Sequence, residues 1–105
     1  RSTLVSWMSK QAPPRAYCVY ILECADGTLY TGITTELVRR VHQHNSGKSG
    51  ARYTHARRPV RCIYVEPSPD RSSALKRELA IKRLARRAKL ALVAQNPWRE
   101  AAPKQ

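Results

Sequence analysis

The chain has 105 residues, and 20 Lys and Arg against 7 Asp and Glu give it a formal net charge of +13. This length fits one domain with a small core. A chain this cationic repels itself unless it meets a polyanion, and its pI near 10.6 favours nucleic acid as the partner. An anionic membrane surface is the rival partner, but neither a long apolar stretch nor a Trp-rich amphipathic helix supports it.

The two ends of the chain differ in composition from its middle. Residues 1–15 are rich in Ser, Pro and basic residues and show no hydrophobic period, and residues 96–105 contain two prolines. We expect both to be loosely ordered tails around one domain at residues 16–95, with Met8 as an alternative start. No signal-peptide pattern is present, which favours a cytoplasmic protein.

The first elements form a predicted β-hairpin. Residues 17–24 are an almost unbroken apolar run, as in a strand buried on both faces, and residues 29–33 form a second strand-like run. Asp26-Gly27 between two such runs is a strong hairpin signal.

The length of the hairpin loop decides which face each tyrosine occupies. A two-residue loop would put Tyr20 and Tyr30 on opposite faces of the sheet. A three-residue loop with Gly27 in a left-handed conformation pairs Tyr20 with Gly32 and Leu22 with Tyr30, so that both tyrosines share a face about 7 Å apart at the backbone. We predict the three-residue loop, because a shared active surface requires it.

A helix is predicted next, capped by Thr34 or Thr35 and ended by Asn45-Ser46-Gly47. Arg40 and His44 lie four residues apart, so they stack along one edge of its apolar stripe. That stripe contains Leu37, Val38 and Val41.

The second half of the chain predicts one strand and one or two helices. Residues 46–59 are expected to be a loop, residues 60–65 a strand ended by Pro67-Ser68-Pro69, and a helix starts at Ser72 or Ser73 and runs to about residue 84. Residues 85–94 continue that helix or form another after a bend. The order β-β-α-β-α(-α) predicts a small α/β (α+β) domain with a mostly antiparallel three-stranded sheet flanked by helices.

The three cysteines indicate no disulfide framework. Cys18, Cys24 and Cys62 lie in apolar runs, where a free cysteine behaves as a small hydrophobe, and a reducing cytoplasm fits this pattern. A zinc site built from Cys18, Cys24, His42 and His44 matches no familiar zinc spacing.

The hairpin resembles the signature of the GIY-YIG nuclease superfamily. Cys18-Val19-Tyr20 stands in the place of GIY, and Tyr30-Thr31-Gly32 stands in the place of YIG. The remaining matches follow in order over residues 16–94 and are similar to the small stand-alone bacterial branch of the family: Ser46-Gly47-Lys48, Tyr53-Thr54, Arg58-Pro59, Ala74-Leu75, Glu78 and Ile81-Lys82. Cys18, Val19 and Thr31 depart from the named letters, but both tyrosines and Gly32 remain.

Glu78 is the only acidic residue between Asp70 and Glu100, and residues 71–89 of that stretch hold eight Lys and Arg. On a helix its neighbours place it near the apolar face, where a carboxylate needs a partner or a metal. A salt bridge to Lys82 is the structural interpretation. The resemblance implies the functional interpretation, in which Glu78 binds Mg²⁺ or Mn²⁺. One hard carboxylate with waters and a phosphate oxygen is a usual Mg²⁺ site.

The other candidate catalytic residues also have structural alternatives. Tyr20 and Tyr30 could simply pack the sheet, or Tyr20 could take the proton of the attacking water while Tyr30 positions it. Arg40 corresponds to the family's catalytic arginine, and a planar guanidinium suits the charge of a phosphate in the transition state. His44 either positions the phosphate or a tyrosine hydroxyl, or caps the end of the helix.

The basic loop and the second helix supply the predicted nucleic-acid contacts. Cations interleaved with an aromatic ring suit phosphates and a stacked base, although a solvated mobile loop has the same composition. The predicted nucleic-acid-binding residues are Lys48, Arg52, Tyr53, Arg57, Arg58 and Lys82.

Together these features predict a metal-dependent DNA endonuclease. The sequence shows no recognition domain, so we expect cleavage directed by branched, flapped or single-stranded DNA structure in repair or recombination, with no small-molecule cofactor. The alternatives are a basic nucleic-acid-binding module without catalysis, and an interaction protein of ribosomes or a repair complex. The sequence leaves the oligomeric state open.

Overall fold

The computed structural model describes residues 16–46 and 51–96 of the chain. Within them the order of strands and helices is the predicted β-β-α-β-α-α, with one short additional helix, and the predicted α+β fold is confirmed. The elements are β1 (Tyr17–Glu23), β2 (Leu29–Thr34), α1 (Leu37–Ser46), α2 (Arg52–His55), β3 (Arg61–Ser68), α3 (Arg71–Lys82) and α4 (Arg86–Gln95). Apart from residue 96, the two predicted tails lie outside the described residues.

The sheet is antiparallel in the order β2-β1-β3, so β1 is its central strand. Tyr20 pairs with Gly32 and Leu22 pairs with Tyr30, which confirms the register of the predicted three-residue loop. Gly27 has φ 85°, the left-handed conformation that this loop requires, and its N–H donates to the Cys24 carbonyl at 2.9 Å.

Each face of β1 has its own core, because alternate side chains of a strand point to opposite faces. One face packs Cys18, Tyr20 and Leu22 of β1 against Leu37 and Val41 of α1. The other face carries Val19 and Ile21, which are covered by Ala74 and Ile81 of α3. This double burial explains the unbroken apolar run, and it places α1 and α3 on opposite sides of the sheet.

Two expectations about helix faces and ends are wrong. Val38 is 60% exposed, because the buried positions of α1 are Leu37, Val41 and His44, which recur every three or four residues and leave Val38 to one side. The cap of α3 is Asp70 and not a serine: its carboxylate accepts the Ser73 N–H at 2.7 Å.

The third strand and the loop before it also differ from the sequence expectation. Pro67 does not end β3, which pairs with β1 as far as Ser68. The strand tolerates the proline because β3 is an edge of the sheet and needs ladder bonds on one side only. The expected loop contains α2, a single helical turn from Arg52 to His55.

α3 and α4 are separate helices, divided at residues 83–85. Partly buried Leu92 and Val93 of α4 pack beside the core beneath α3. No helix in the described part of the chain is both long and apolar enough to cross a membrane.

Gly32 leaves the space that the Tyr20 ring occupies. A Cβ at position 32 would lie 2.5 Å from the Tyr20 hydroxyl and 2.7 Å from its Cζ, closer than atoms without a bond between them approach. Tyr20 is 1% exposed, so its ring cannot move aside without displacing the atoms packed around it. The glycine of the YIG position is therefore a steric requirement of the tyrosine of the GIY position.

We predict that Gly32→Ala destabilises the fold by about 1–3 kcal/mol, because the extra methyl forces the Tyr20 ring out of its site. Urea unfolding followed by circular dichroism measures the loss. In the Tyr20→Phe background the cost should be smaller, because the atom nearest to the new Cβ has been removed. An equal cost in both backgrounds would show that the Tyr20 hydroxyl is not the obstacle.

Candidate active site

The candidate site lies on the face of the sheet covered by α1. His44 is fully buried at the end of α1, and its Nε2 lies 3.0 Å from the hydroxyl of Tyr20 on β1. The other ring nitrogen, Nδ1, lies 2.8 Å from Oγ1 of Thr54, which is also fully buried. The Thr54 hydroxyl donates to the Ala51 carbonyl at 2.9 Å. A continuous hydrogen-bonded chain thus joins β1, α1 and α2.

Arg40 extends this chain at its other end. Its guanidinium donates a hydrogen bond to the Tyr20 hydroxyl, and its Nη1 also donates to Oε1 of Gln43 at 3.1 Å. Arg40 lies one helical turn before His44, which is why one edge of α1 can serve both contacts. The structure therefore brings Tyr20, Arg40 and His44 together.

The protonation states of His44 and Tyr20 follow from their burial. Burial, together with the positive charges of Arg40 and Arg58, lowers the pKa of His44 to about 4. Burial also raises the pKa of Tyr20 above its usual value, although the hydrogen bond from Arg40 opposes this shift. Both groups are neutral at neutral pH, and Tyr20 keeps its proton.

This environment argues against the expectation that Tyr20 takes a proton from the attacking water. Tyr20 is 1% exposed, so the hydroxyl is closed to bulk solvent, and the shift in its pKa makes the phenolate rarer still. Tyr30 is only partly buried against the same core. Of the two tyrosines, Tyr30 is the one that solvent reaches.

The rings of His44, Tyr30 and Tyr53 form a column that leads from the buried hydrogen bonds to the surface. The ring of Tyr30 meets the His44 ring edge-on with centroids 5.2 Å apart, and stacks on Tyr53 at 5.8 Å and 25°. The guanidinium of Arg57 covers the outer face of Tyr53, with Cζ 4.1 Å from the ring centroid. Asp26 holds Arg57 by an ion pair of 3.0 Å, which fixes the hairpin loop to the column.

Arg58 and Asn45 secure the end of α1. Nε of Arg58 donates to the His44 carbonyl at 2.5 Å, so this side chain contributes to a helix terminus as well as to surface charge. The side-chain amide of Asn45 bonds both backbone groups of Val60, accepting from N–H at 2.7 Å and donating to C=O at 2.9 Å. These contacts join α1 to the residue before β3 and hold His44 in place.

Glu78 lies on the helix that covers the other sheet face. Its carboxylate pairs with Lys82 at 3.2 Å, and its side chain is 17% exposed. Around α3, Arg77 and Glu78 project on either side of the buried line from Ala74 to Ile81, at 100° per residue. Arg77 reaches Glu66 on β3 at 2.9 Å. Glu78 therefore lies on the flank that faces the opposite sheet edge, β2, which carries Tyr30.

The surroundings of Glu78 determine how it could bind a divalent metal. Among residues 16–46 and 51–96, no group of three His, Cys, Asp or Glu is placed to hold a metal ion. Mg²⁺ is often held by one carboxylate with waters and substrate phosphate, and Glu78 is the acid placed to supply this. Its Oε2 lies 3.2 Å from the Lys82 ammonium. At this place the described part of the chain thus offers the Glu78 carboxylate as a ligand and no preformed cage.

The structure divides the predicted site residues into three groups. Tyr20, Tyr30, Arg40, His44, Tyr53, Arg57 and Arg58 lie around α1 and the hairpin, Glu78 and Lys82 pair on α3, and Arg52 is exposed at the start of α2. Lys48 lies outside the described residues. The sequence interpretation missed Thr54 and Asp26 as site residues. The Tyr53-Thr54 match was the available signal for Thr54.

Comparison with known proteins decides the family. The sequence model of the GIY-YIG catalytic domain family matches residues 16–91. The chain belongs to the GIY-YIG family. It is similar to small UPF0213 proteins: it is 59% identical to protein DP2720 of Desulfotalea psychrophila over 78 residues, 74% of this chain and 71% of that one. It is 53% identical to one from Syntrophus aciditrophicus over 81 residues, 77% of this chain and 93% of that one.

A solved relative has the same fold as this GIY-YIG chain. The solution NMR structure of the UPF0213 protein BH0048 from Bacillus halodurans is 43% identical and superposes with a TM-score of 0.51, covering 77% of this chain and 85% of that one. The family places this chain in a nuclease superfamily whose substrate is nucleic acid, and whose members generally use divalent metals. The names of the UPF0213 relatives state no activity.

We predict that the buried His44 destabilises the fold in mild acid. Its pKa is lowered from 6.5 to about 4 in the folded protein, so the unfolded state takes up the proton first. Stability should fall by up to about 3 kcal/mol as pH drops from 6.5 to 4. Urea midpoints across this range measure the slope.

His44→Gln should flatten this slope, because the titrating group is gone. His55→Gln is the matched control, since His55 is exposed and next to the same buried Thr54. Equal slopes in wild type and His44→Gln would contradict the assignment of the acid sensitivity to His44.

Proposed function

We propose that this GIY-YIG chain is a metal-dependent endonuclease that hydrolyses DNA phosphodiester bonds. The observation that carries the proposal is the series of hydrogen bonds that holds the Arg40 guanidinium at the Tyr20 hydroxyl, with the partly exposed ring of Tyr30 against His44 of the same series. A cation held by a buried scaffold needs little reorganisation when charge develops on a phosphate, and such preorganised groups supply a large part of catalysis.

Arg40 and Tyr30 divide the work at the phosphate in this proposal. Arg40 binds a non-bridging phosphate oxygen and stabilises its growing negative charge. Tyr30 binds and orients the attacking water, and relays its proton towards solvent. Tyr20 contacts neither the phosphate nor the attacking water. It holds Arg40 and joins it to His44.

Glu78 is the residue that would hold Mg²⁺ or Mn²⁺ in this proposal. A bound divalent ion stabilises charge on the scissile phosphate and its leaving oxygen. The position of Glu78 on the α3 flank facing β2 supports its role, because β2 is also the strand that carries Tyr30. The Lys82 ammonium beside Glu78 then meets a second phosphate oxygen.

Single-stranded or branched DNA is the proposed substrate. Tyr53 is 39% exposed and continues the ring column from Tyr30 to the surface, under the Arg57 guanidinium. An unpaired base can take the place of the Arg57 guanidinium on the ring of Tyr53, whereas bases in an intact duplex stack on one another. Lys48, Arg52 and Arg58 would then contact the phosphates that flank this base.

A nucleic-acid-binding module without catalysis is the second candidate, and one observation favours it. Glu78 already has a cation partner in Lys82, so its carboxylate is satisfied without a metal. Cleavage that EDTA abolishes and Mn²⁺ restores would decide for the enzyme. Salt-sensitive DNA binding without cleavage under any metal condition would decide for the module.

Substitutions at Glu78 and Arg40 should separate cleavage from binding. We predict that Glu78→Gln and Arg40→Ala each lower the cleavage rate of flapped DNA by about a hundredfold or more, because each removes a group that stabilises transition-state charge. Affinity measured by fluorescence anisotropy without metal should change by less than about threefold, because most of the +13 charge remains.

The matched controls are Glu36→Gln and Arg39→Ala, which break an exposed helical ion pair of 3.5 Å on α1. Both should cleave at the wild-type rate. Metal-dependent cleavage that survives Glu78→Gln would remove Glu78 from the site.

The ring column should contribute to binding of unpaired DNA. We predict that Tyr53→Leu weakens binding to a single-stranded oligonucleotide about tenfold, since stacking of one base on an aromatic ring is worth about 1–3 kcal/mol. Binding to a blunt duplex should change much less, and Tyr53→Phe should keep both affinities. An equal loss for single strand and duplex would exclude base stacking on Tyr53.

A further inference from the structure

Thr54 is a fully buried polar residue that the proposed mechanism does not use directly. It lies on the single turn of α2, below the end of α1. Its hydroxyl oxygen lies 2.9 Å from the Ala51 carbonyl and 2.8 Å from Nδ1 of His44. The Thr54 backbone N–H also donates to the Ala51 carbonyl, at 3.1 Å, so the hydroxyl is fixed close to its own main chain.

The Thr54 contacts determine which nitrogen of His44 carries the proton. A hydroxyl has one hydrogen, and a carbonyl can only accept, so the Thr54 hydrogen points at Ala51. Towards His44 the hydroxyl can therefore only accept, and Nδ1 must be the protonated nitrogen. A neutral imidazole has one N–H, which leaves Nε2 with a lone pair.

The lone pair on Nε2 in turn fixes the direction of the Tyr20 hydroxyl. Nε2 accepts the phenol hydrogen across 3.0 Å. The lone pairs of the Tyr20 oxygen are then left for Arg40, a side chain with donors only. Every bond runs the same way, from Arg40 through Tyr20, His44 and Thr54 to the Ala51 carbonyl, and bonds in such a series polarise one another.

We propose that Thr54 is a positioning residue that fixes the Nδ1–H tautomer of His44 and thereby, through Tyr20, orients the guanidinium of Arg40. This inference rests on the proposed function for its catalytic consequence, but the tautomer itself does not. If the hydroxyl of Thr54 is removed, Nδ1–H loses its acceptor and the Nε2–H tautomer becomes competitive. Nε2–H then competes with Arg40 for the Tyr20 oxygen, and the phenol hydrogen has no acceptor in a buried site.

The tautomer can be observed without DNA or metal. Two-dimensional ¹⁵N NMR of the full chain near pH 7 distinguishes a protonated from an unprotonated ring nitrogen. In wild type we expect His44 to show a protonated Nδ1 and an unprotonated Nε2. Thr54→Ser should keep this pattern, because it keeps the hydroxyl, and Thr54→Val should lose it. A wild-type His44 with protonated Nε2, or Thr54→Val with an unchanged tautomer, would overturn the proposal.

The catalytic consequence is tested by steady-state cleavage of flapped DNA with Mn²⁺. We expect Thr54→Val to lower kcat by about tenfold or more with KM nearly unchanged, and Thr54→Ser to restore most of it. Thr35→Val is the control, because Thr35 is exposed before α1 and takes no part in the series of hydrogen bonds from Arg40 to Ala51. Equal kcat values in Thr54→Val and Thr54→Ser would contradict the positioning role.

Failure of this inference and failure of the proposed function have different signatures. A wild-type protein that cleaves nothing but shows the Nδ1–H tautomer would refute the nuclease proposal and leave the hydrogen-bonded chain intact. A protein that cleaves DNA but carries the Nε2–H tautomer would refute the tautomer inference and leave the nuclease proposal intact. Thermal melting of each variant shows whether enough of it is folded at the assay temperature. The tautomer of wild-type His44 still tests the proposal if Thr54→Val unfolds.

Discussion

The close approach of the Tyr20 ring to Gly32 governs how the site is assembled. A side chain at position 32 would occupy the space of the Tyr20 hydroxyl, 2.5 Å from the position of a Cβ. With glycine there, a tyrosine of the central strand lies across its neighbour and reaches His44 on the covering helix. The register that pairs positions 20 and 32 is thus both a feature of the hairpin and the condition for the buried chain of hydrogen bonds.

The chemistry of the face covered by α1 follows from burial. Water is excluded from Tyr20, His44 and Thr54, so each polar atom must find a partner within the protein, and each finds one. The same burial keeps Tyr20 and His44 neutral at neutral pH. Charge therefore appears only at the outer end of the chain, on Arg40, where a phosphate of the substrate would arrive.

Much of the fold could be predicted from local signals in the sequence. Asp26-Gly27 between two apolar runs gave the hairpin, and the need for a shared tyrosine face gave its register, both of which the structure confirms. The run of apolar residues in β1 predicted burial on both faces. Such features depend on residues close together in the chain, for which turn chemistry and periodicity are sufficient.

The misses depend on contacts that are remote in sequence. Pro67 lies within a strand because β3 is at the sheet edge, and strand order is not visible in local composition. Val38 is apolar but exposed, because α1 buries the polar His44 instead. The burial of Tyr20, which removes it from contact with water, results from the packing of α1 over that face of the sheet. Periodicity could not show that Thr54 would face a histidine ten residues away.

The central claim is that Tyr20 keeps its proton and donates it in a hydrogen bond to His44. The most direct test is a pH titration of the ¹³Cζ resonance of Tyr20, assigned with Tyr20→Phe. The account predicts that this resonance stays at its protonated value through pH 10, the ordinary pKa of tyrosine, because burial raises the pKa of Tyr20. Ionisation at or below pH 10 would contradict it and would make Tyr20 available as a base.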